Sequence, residues 1–144
     1  MEDKYAALKL DNQLCFPLYA CSKEIVRMYK PLLDPLGLTY TQYITMMVLW
    51  EDGQSTVKEL GERLFLDSGT LTPVLKKLEE KGYLTRERSK DDERNLIVNL
   101  TDKGLELRDE ALSVPYSLAS CVKLTKEEAY TLYTLLRKLM YTEK

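Results

Sequence analysis

The chain has 144 residues, 44% hydrophobic and 31% charged, enough for one soluble globular domain with a real core. Its 21 basic and 23 acidic residues leave a net charge of −2, so a nucleic-acid surface would need charge sorted by face rather than an overall basic composition. There is no histidine, and the three cysteines, Cys15, Cys21 and Cys121, form no Cys-x-x-Cys pair; the common zinc arrangements, the Ser-His-Asp triad and the Cys-His dyad are excluded, and neither metal nor cofactor is expected.

From about Lys4 to Lys30 the chain is helical in character, with Leu14, Leu18, Ile25 and Met28 at intervals of three, four and seven. Pro17 interrupts this stretch, so either a kink falls there or a second helix begins with Pro17 in its first turn. Pro31, Pro35 and Gly37 mark a connector, and an apolar segment from Tyr40 to Trp50 ends at the turn signal Asp52-Gly53. No apolar run is long enough to cross a membrane, and the polar N-terminus lacks the layout of a secretory signal, so a cytoplasmic protein is expected.

Ser55 to Phe65 reads as a short helix, with Thr56 and Glu59 fitting a capping box and Val57, Leu60 and Leu64 along one stripe. Asp67-Ser68-Gly69-Thr70 supplies turn and capping residues. A further helix carries Leu71, Val74, Leu75 and Leu78 and closes at Lys81-Gly82, and Pro73 must lie near its start. Tyr83 to Arg88 and Asn95 to Leu100 read as two strands of a hairpin with a charged tip over Ser89 to Arg94. Beyond Thr101 the chain reads as helical to about Ala111, breaks near Pro115 and restarts. Thr125 and Glu128 form a second capping box ahead of the apolar face Ala129, Leu132, Leu135, Leu136, Leu139 and Met140.

Helix, short turn, helix and charged hairpin is the layout of a winged helix-turn-helix. The fold expected is mainly α with a small β-hairpin wing. The second helix of such a unit enters the major groove of double-stranded DNA. Ser68, Thr70 and Thr72 at its start can hydrogen-bond there, Pro73 lies among them, and Lys76 and Lys77 supply charge for phosphates. Arg86, Arg88, Lys90 and Arg94 put positive charge on the hairpin, where a narrow minor groove attracts arginine.

The segments Leu60-Gly61-Glu62-Arg63-Leu64, Asp67 through Glu79, and Lys90-Asp91-Asp92-Glu93-Arg94 with the later Leu100-Thr101 resemble the MarR family of transcription regulators over nearly the whole chain. The resemblance implies a homodimer that reads a pseudo-palindromic operator, with the winged helix-turn-helix over about 40–101 of a single 1–144 domain and dimerisation helices over about 4–30 and 102–142. It also implies that Arg94 enters the minor groove and that Asp92 helps to hold it.

Within that family, Leu10 to Phe16 with Leu18-Tyr19-Ala20 resembles the OhrR branch, which senses organic hydroperoxides, and is also similar to the thiol regulators MgrA and SarZ. The resemblance makes Cys15 the sensing thiol, with Tyr19 beside it and with Tyr29 and Tyr40 as tyrosines that bond it across the dimer. It leaves Cys121 as a resolving cysteine in a second chain, or else as a bystander while a small thiol caps Cys15. If a helix begins around Phe16-Pro17, its free amides and dipole favour a Cys15 thiolate, and Leu14, Phe16 and Leu18 suit an apolar peroxide. Cys21, six residues on, is too far from Cys15 for a disulfide on a continuous helix and is expected in the core.

The function expected is a repressor released by oxidation of Cys15, without enzymatic turnover. A MarR-type regulator released by a phenolic or aromatic ligand is the alternative. A thiol peroxidase does not fit, because Asn12 rather than threonine stands three residues before Cys15.

Overall fold

The computed structural model describes residues 2–92 and 94–142; Glu93, in the quoted wing segment, lies outside them. The first residues do not form the helix expected from Lys4. They make 3-10 turns at Ala6–Leu8 and Leu10–Asn12. The Asn12 and Gln13 side-chain amides donate to the carbonyls of Ala6 and Ala7, both at 2.7 Å, and satisfy groups that a continuous helix would have used.

Helix α1 runs over Cys15–Leu33. Pro17 therefore lies in its first turn, where a missing N–H costs nothing because those amides have no partner within the helix. At the other end α1 runs through Pro31, where a connector was expected. The connector is instead the 3-10 turn Asp34–Leu36, closed by Gly37 at φ +67.

Helix α2, Tyr40–Asp52, is capped by Thr39 and Gln42 in a reciprocal capping box and buries Tyr43, Met46, Val48 and Leu49. Strand β1 is Gln54–Thr56. The helix expected from Ser55 begins instead at Val57, and α3 spans Val57–Leu64 with Thr56 as its N-cap. The capping residue needs extended backbone, and that same conformation lets Ser55 pair opposite Val98. Phe65, expected inside the helix, ends it in the left-handed region at φ 56.

Helix α4, Ser68–Glu80, starts where Asp67 accepts from the Thr70 amide at 2.7 Å and buries Leu71, Leu75 and Leu78. Strands β2, Leu84–Arg88, and β3, Leu96–Leu100, form the hairpin and complete an antiparallel sheet in the order β1-β3-β2. Helix α5 is Asp102–Ala111, α6 is Ser113–Cys121 and α7 is Lys126–Met140. The break between α5 and α6 falls at Leu112, so Pro115 sits in the first turn of α6 rather than at the break.

The core gathers around α2, from Leu33 and Leu38 through Met46 and Leu49 to Leu60, Leu75, Leu78, Leu84 and Val98. Trp50 reaches across it, donating its indole N–H to the Gly104 carbonyl at 2.8 Å and tying α2 to α5. Helix α7, capped by Thr125 and Glu128 as expected, buries no residue in the single chain.

Candidate nucleic-acid interface and thiol site

Leu71, Leu75 and Leu78 hold one stripe of α4 in the core, which leaves the opposite stripe outward by helical geometry. Ser68, Thr70, Thr72, Pro73, Lys76 and Lys77 are all exposed on it. The Thr72 hydroxyl donates to the Ser68 carbonyl at 2.7 Å, so its oxygen remains an acceptor toward solvent.

The wing returns toward this face. A groove of about 540 Å³ lies between the two helices and the hairpin, and Ser68, Thr72, Lys58, Glu62 and Arg94 are among the residues that line it. Asp92 Oδ1 accepts from the Arg94 backbone N–H at 3.0 Å and from Arg94 Nε at 3.3 Å. The Arg94 side chain is 92% exposed and projects from this brace. Lys90 and Arg88 are exposed on the same hairpin.

Arg86 departs from that grouping. It faces Val98 on the inner side of the hairpin, its side chain only 21% exposed, with Nη2 3.2 Å from Glu79 Oε1. Its charge is spent within the fold, against α4. Strand parity could have shown this: Leu84 points into the core, so Arg86, two residues on, points the same way. Glu79 on α4 and Lys58 on α3 had no such signal, because their places beside the hairpin depend on tertiary contact.

Cys15 opens α1 and is exposed. Tyr19 lies one turn on, with the Lys23 ammonium 5.1 Å from its ring centre. Tyr29 and Tyr40 are in contact, ring centres 4.9 Å apart, and Tyr43 joins them at 5.7 Å from Tyr29. Tyr43 was not singled out from the sequence, although it sits one helical turn from Tyr40. Burial, reinforced by Tyr40 and Tyr43, pushes the Tyr29 hydroxyl up to about 12, and burial raises Tyr40 and Tyr43 as well. These hydroxyls stay protonated at neutral pH and are therefore hydrogen-bond donors.

Within one chain the thiol and the tyrosines are not brought together. Cys15 and Tyr29 share the single helix α1, which puts them about 21 Å apart along its axis. Cys121 ends α6, exposed, with its thiol 3.4 Å from the Ser117 carbonyl. Cys21, expected in the core, is exposed in the single chain, because α1 turns only its C-terminal part, Leu33 above all, into the core.

Residues 27–111 match the family model described as transcriptional regulator SarA/Rot, a span from the last two turns of α1 to the end of α5. The chain is 48% identical over 143 residues to the organic hydroperoxide resistance transcriptional regulator of Bacillus subtilis, covering 96% of this chain and 97% of that one. It is 46% identical over 123 residues to the HTH-type transcriptional regulator SarZ of Staphylococcus epidermidis, covering 85% and 83%. Among solved structures it is similar to reduced AbfR bound to DNA, a Staphylococcus epidermidis protein, at 36% identity and a TM-score of 0.79, covering 96% of this chain and 98% of that one. The winged helix-turn-helix expected from the sequence is the architecture found. The chain belongs to the MarR-type family of transcriptional regulators, on the branch that holds the organic hydroperoxide resistance and SarZ regulators.

Proposed function

We propose that this protein is a cytoplasmic homodimeric repressor that binds a pseudo-palindromic operator while Cys15 is reduced and leaves it when an organic hydroperoxide oxidises that thiol. The observation that carries the DNA-binding half is the shared groove: Ser68 and Thr72 from the start of α4 and the braced Arg94 line one surface. Ser68, Thr70, Thr72 and Pro73 meet the major groove, Lys76 and Lys77 the phosphates, and Lys90 and Arg94 the flanking minor groove. The relatives' names, a hydroperoxide-resistance regulator and a DNA-bound reduced form, support the same reading.

The sensing half follows from placement. Cys15 stands exposed at the first turn of α1, open to a peroxide from solvent. Because its own Tyr29 is about 21 Å away, the tyrosine hydroxyls that donate to the sulfur come from a second copy. The thiolate attacks one peroxide oxygen, the O–O bond breaks, the alcohol leaves with a proton, and the sulfur becomes a sulfenic acid. Condensation with Cys121 of the second copy, or with a small cellular thiol, then forms a disulfide and releases water. Either product displaces the tyrosine donors at the dimer interface. A differential of a few kcal/mol between the two states is enough to empty most operators.

The test is operator binding before and after one equivalent of cumene hydroperoxide. The parent protein is expected to dissociate and Cys15→Ser to stay bound; equal release from both sinks the sensing role of Cys15. One observation favours a second reading: a cavity of about 380 Å³ lined by Tyr43, Trp50, Arg108 and Tyr116, of a size and chemistry suited to a phenolic acid. Release of Cys15→Ser protein from DNA by salicylate would select it.

A further inference from the structure

Glu79 lies near the C-terminal end of α4 and Arg86 in the middle of β2, across the turn at Gly82. The Glu79 carboxylate uses both oxygens on one residue. Oε2 accepts the Arg86 backbone N–H at 2.9 Å and Oε1 accepts Nη2 at 3.2 Å. One contact fixes where the strand passes the helix, and the other fixes how the strand is rotated about its own axis.

The pair is unusual in its cost. Arg86 occupies an inward strand position opposite Val98, which is fully buried. Its Nε is buried and has no hydrogen-bond partner. An unsatisfied buried donor of this kind is destabilising, and the ion pair beside it, with the Arg86 side chain 21% and the Glu79 side chain 37% exposed, contributes little to offset it. Packing alone therefore gives no reason for a guanidinium here. Geometry does. From Arg86 the strand runs directly into the tip that carries Asp92 and Arg94, and Arg94 lines the same groove as Ser68 and Thr72 of α4.

We infer that the Glu79–Arg86 pair is a positioning device for DNA recognition, which locks the wing to α4 so that Arg94 and the face of α4 engage one duplex together. The inference rests on the DNA-binding reading above. It also reassigns Arg86, which acts through the wing and does not itself contact phosphate.

The experiment uses reduced full-length protein and a duplex selected by it from a random-sequence pool. Glu79→Gln, Arg86→Met and the apolar pair Glu79→Leu/Arg86→Met are measured for affinity and thermal stability, each with and without Arg94→Ala. The apolar pair is expected to melt within a few degrees of the parent, so loss of fold does not confuse the result. All three are expected to weaken binding about tenfold, and by less than about threefold when Arg94 is already alanine, because the two changes remove the same contact. A direct phosphate contact predicts otherwise: Arg86→Met would lose the same factor in both backgrounds, and Glu79→Gln would leave affinity unchanged or tighten it. Either pattern overturns the inference, as does parent-like affinity in all three variants. If the parent selects no duplex, the DNA-binding reading itself fails, and that outcome is distinct from the others.

Discussion

Gly104 is where the first turn of α5 crosses the start of the hairpin. A β-carbon there would lie 2.1 Å from the Tyr83 carbonyl oxygen and 2.8 Å from Leu100 Cδ1. That carbonyl cannot withdraw easily, because it accepts the Thr101 N–H at 3.2 Å, while the Gly104 carbonyl itself holds the Trp50 indole. Gly104→Ala is therefore expected to destabilise the fold by about 2–3 kcal/mol or more through overpacking. Denaturant unfolding followed by the fluorescence of Trp50, the single tryptophan, measures it directly; an unchanged midpoint would show that α5 can slide. None of this was legible in the sequence, where Gly104 is one glycine after a capping threonine. Residues whose role depends on a neighbour close in sequence fared better. Asp92 bracing Arg94 was expected, and the two are bonded. Arg86 is placed by strand parity, on the inner side with Leu84, and its charge type alone does not reveal the Glu79 partner.

Among elements, the tyrosine cluster where α1 meets α2 carries a pH signature. The Tyr29 hydroxyl is raised to about 12, chiefly by burial. Between its unfolded value near 10 and about 12 the unfolded chain releases a proton that the folded chain retains, so stability falls as pH rises through that window. The loss is complete once the pH exceeds the folded value. Below pH 10 the group contributes no pH dependence. Alkaline titration of the melting temperature should show this loss and Tyr29→Phe should reduce it, leaving the share of Tyr40 and Tyr43; parallel curves would place Tyr29 in solvent.

Element boundaries were legible where local capping chemistry set them. The boxes Thr56/Glu59 and Thr125/Glu128 both form. The equivalent box Thr39/Gln42 also forms, with neutral glutamine in the place glutamate takes in the other two. Strand β1 had no visible signal: Gln54, Ser55 and Thr56 are polar, and only pairing with β3, far along the chain, makes them a strand.

At the scale of the whole molecule, exposed apolar surface at both ends of the chain supports the proposed dimer. Helix α7 buries nothing, yet Leu132, Leu135, Leu139 and Met140 line it at 44–56% exposure. Leu8, Leu10 and Leu14 at the other terminus are also exposed, at 79%, 56% and 75%. Exposed apolar residues gathered along one helix mark an association surface, and a second copy would cover it. In the proposed function the same association supplies the tyrosine donors, since one α1 cannot fold back to bring Cys15 to its own Tyr29.

Dimer and sensor therefore stand or fall together, and one variant tests both. Leu135→Glu/Leu139→Glu places two charges in the apolar stripe of α7 without touching a residue of the DNA-binding core. The parent should sediment at close to twice the chain mass of 16.7 kDa and the variant at close to that mass itself. The variant should keep a cooperative melt of its core while losing most of its affinity for a palindromic duplex, because the two half-sites are no longer bound by one linked unit. Its Cys15, stripped of the tyrosine donors from a second chain, should react more slowly with cumene hydroperoxide than the parent's. A monomeric variant that reacts at the parental rate would mean that Cys15 is activated by its own helix alone, and the tyrosines would then be core residues with no part in sensing.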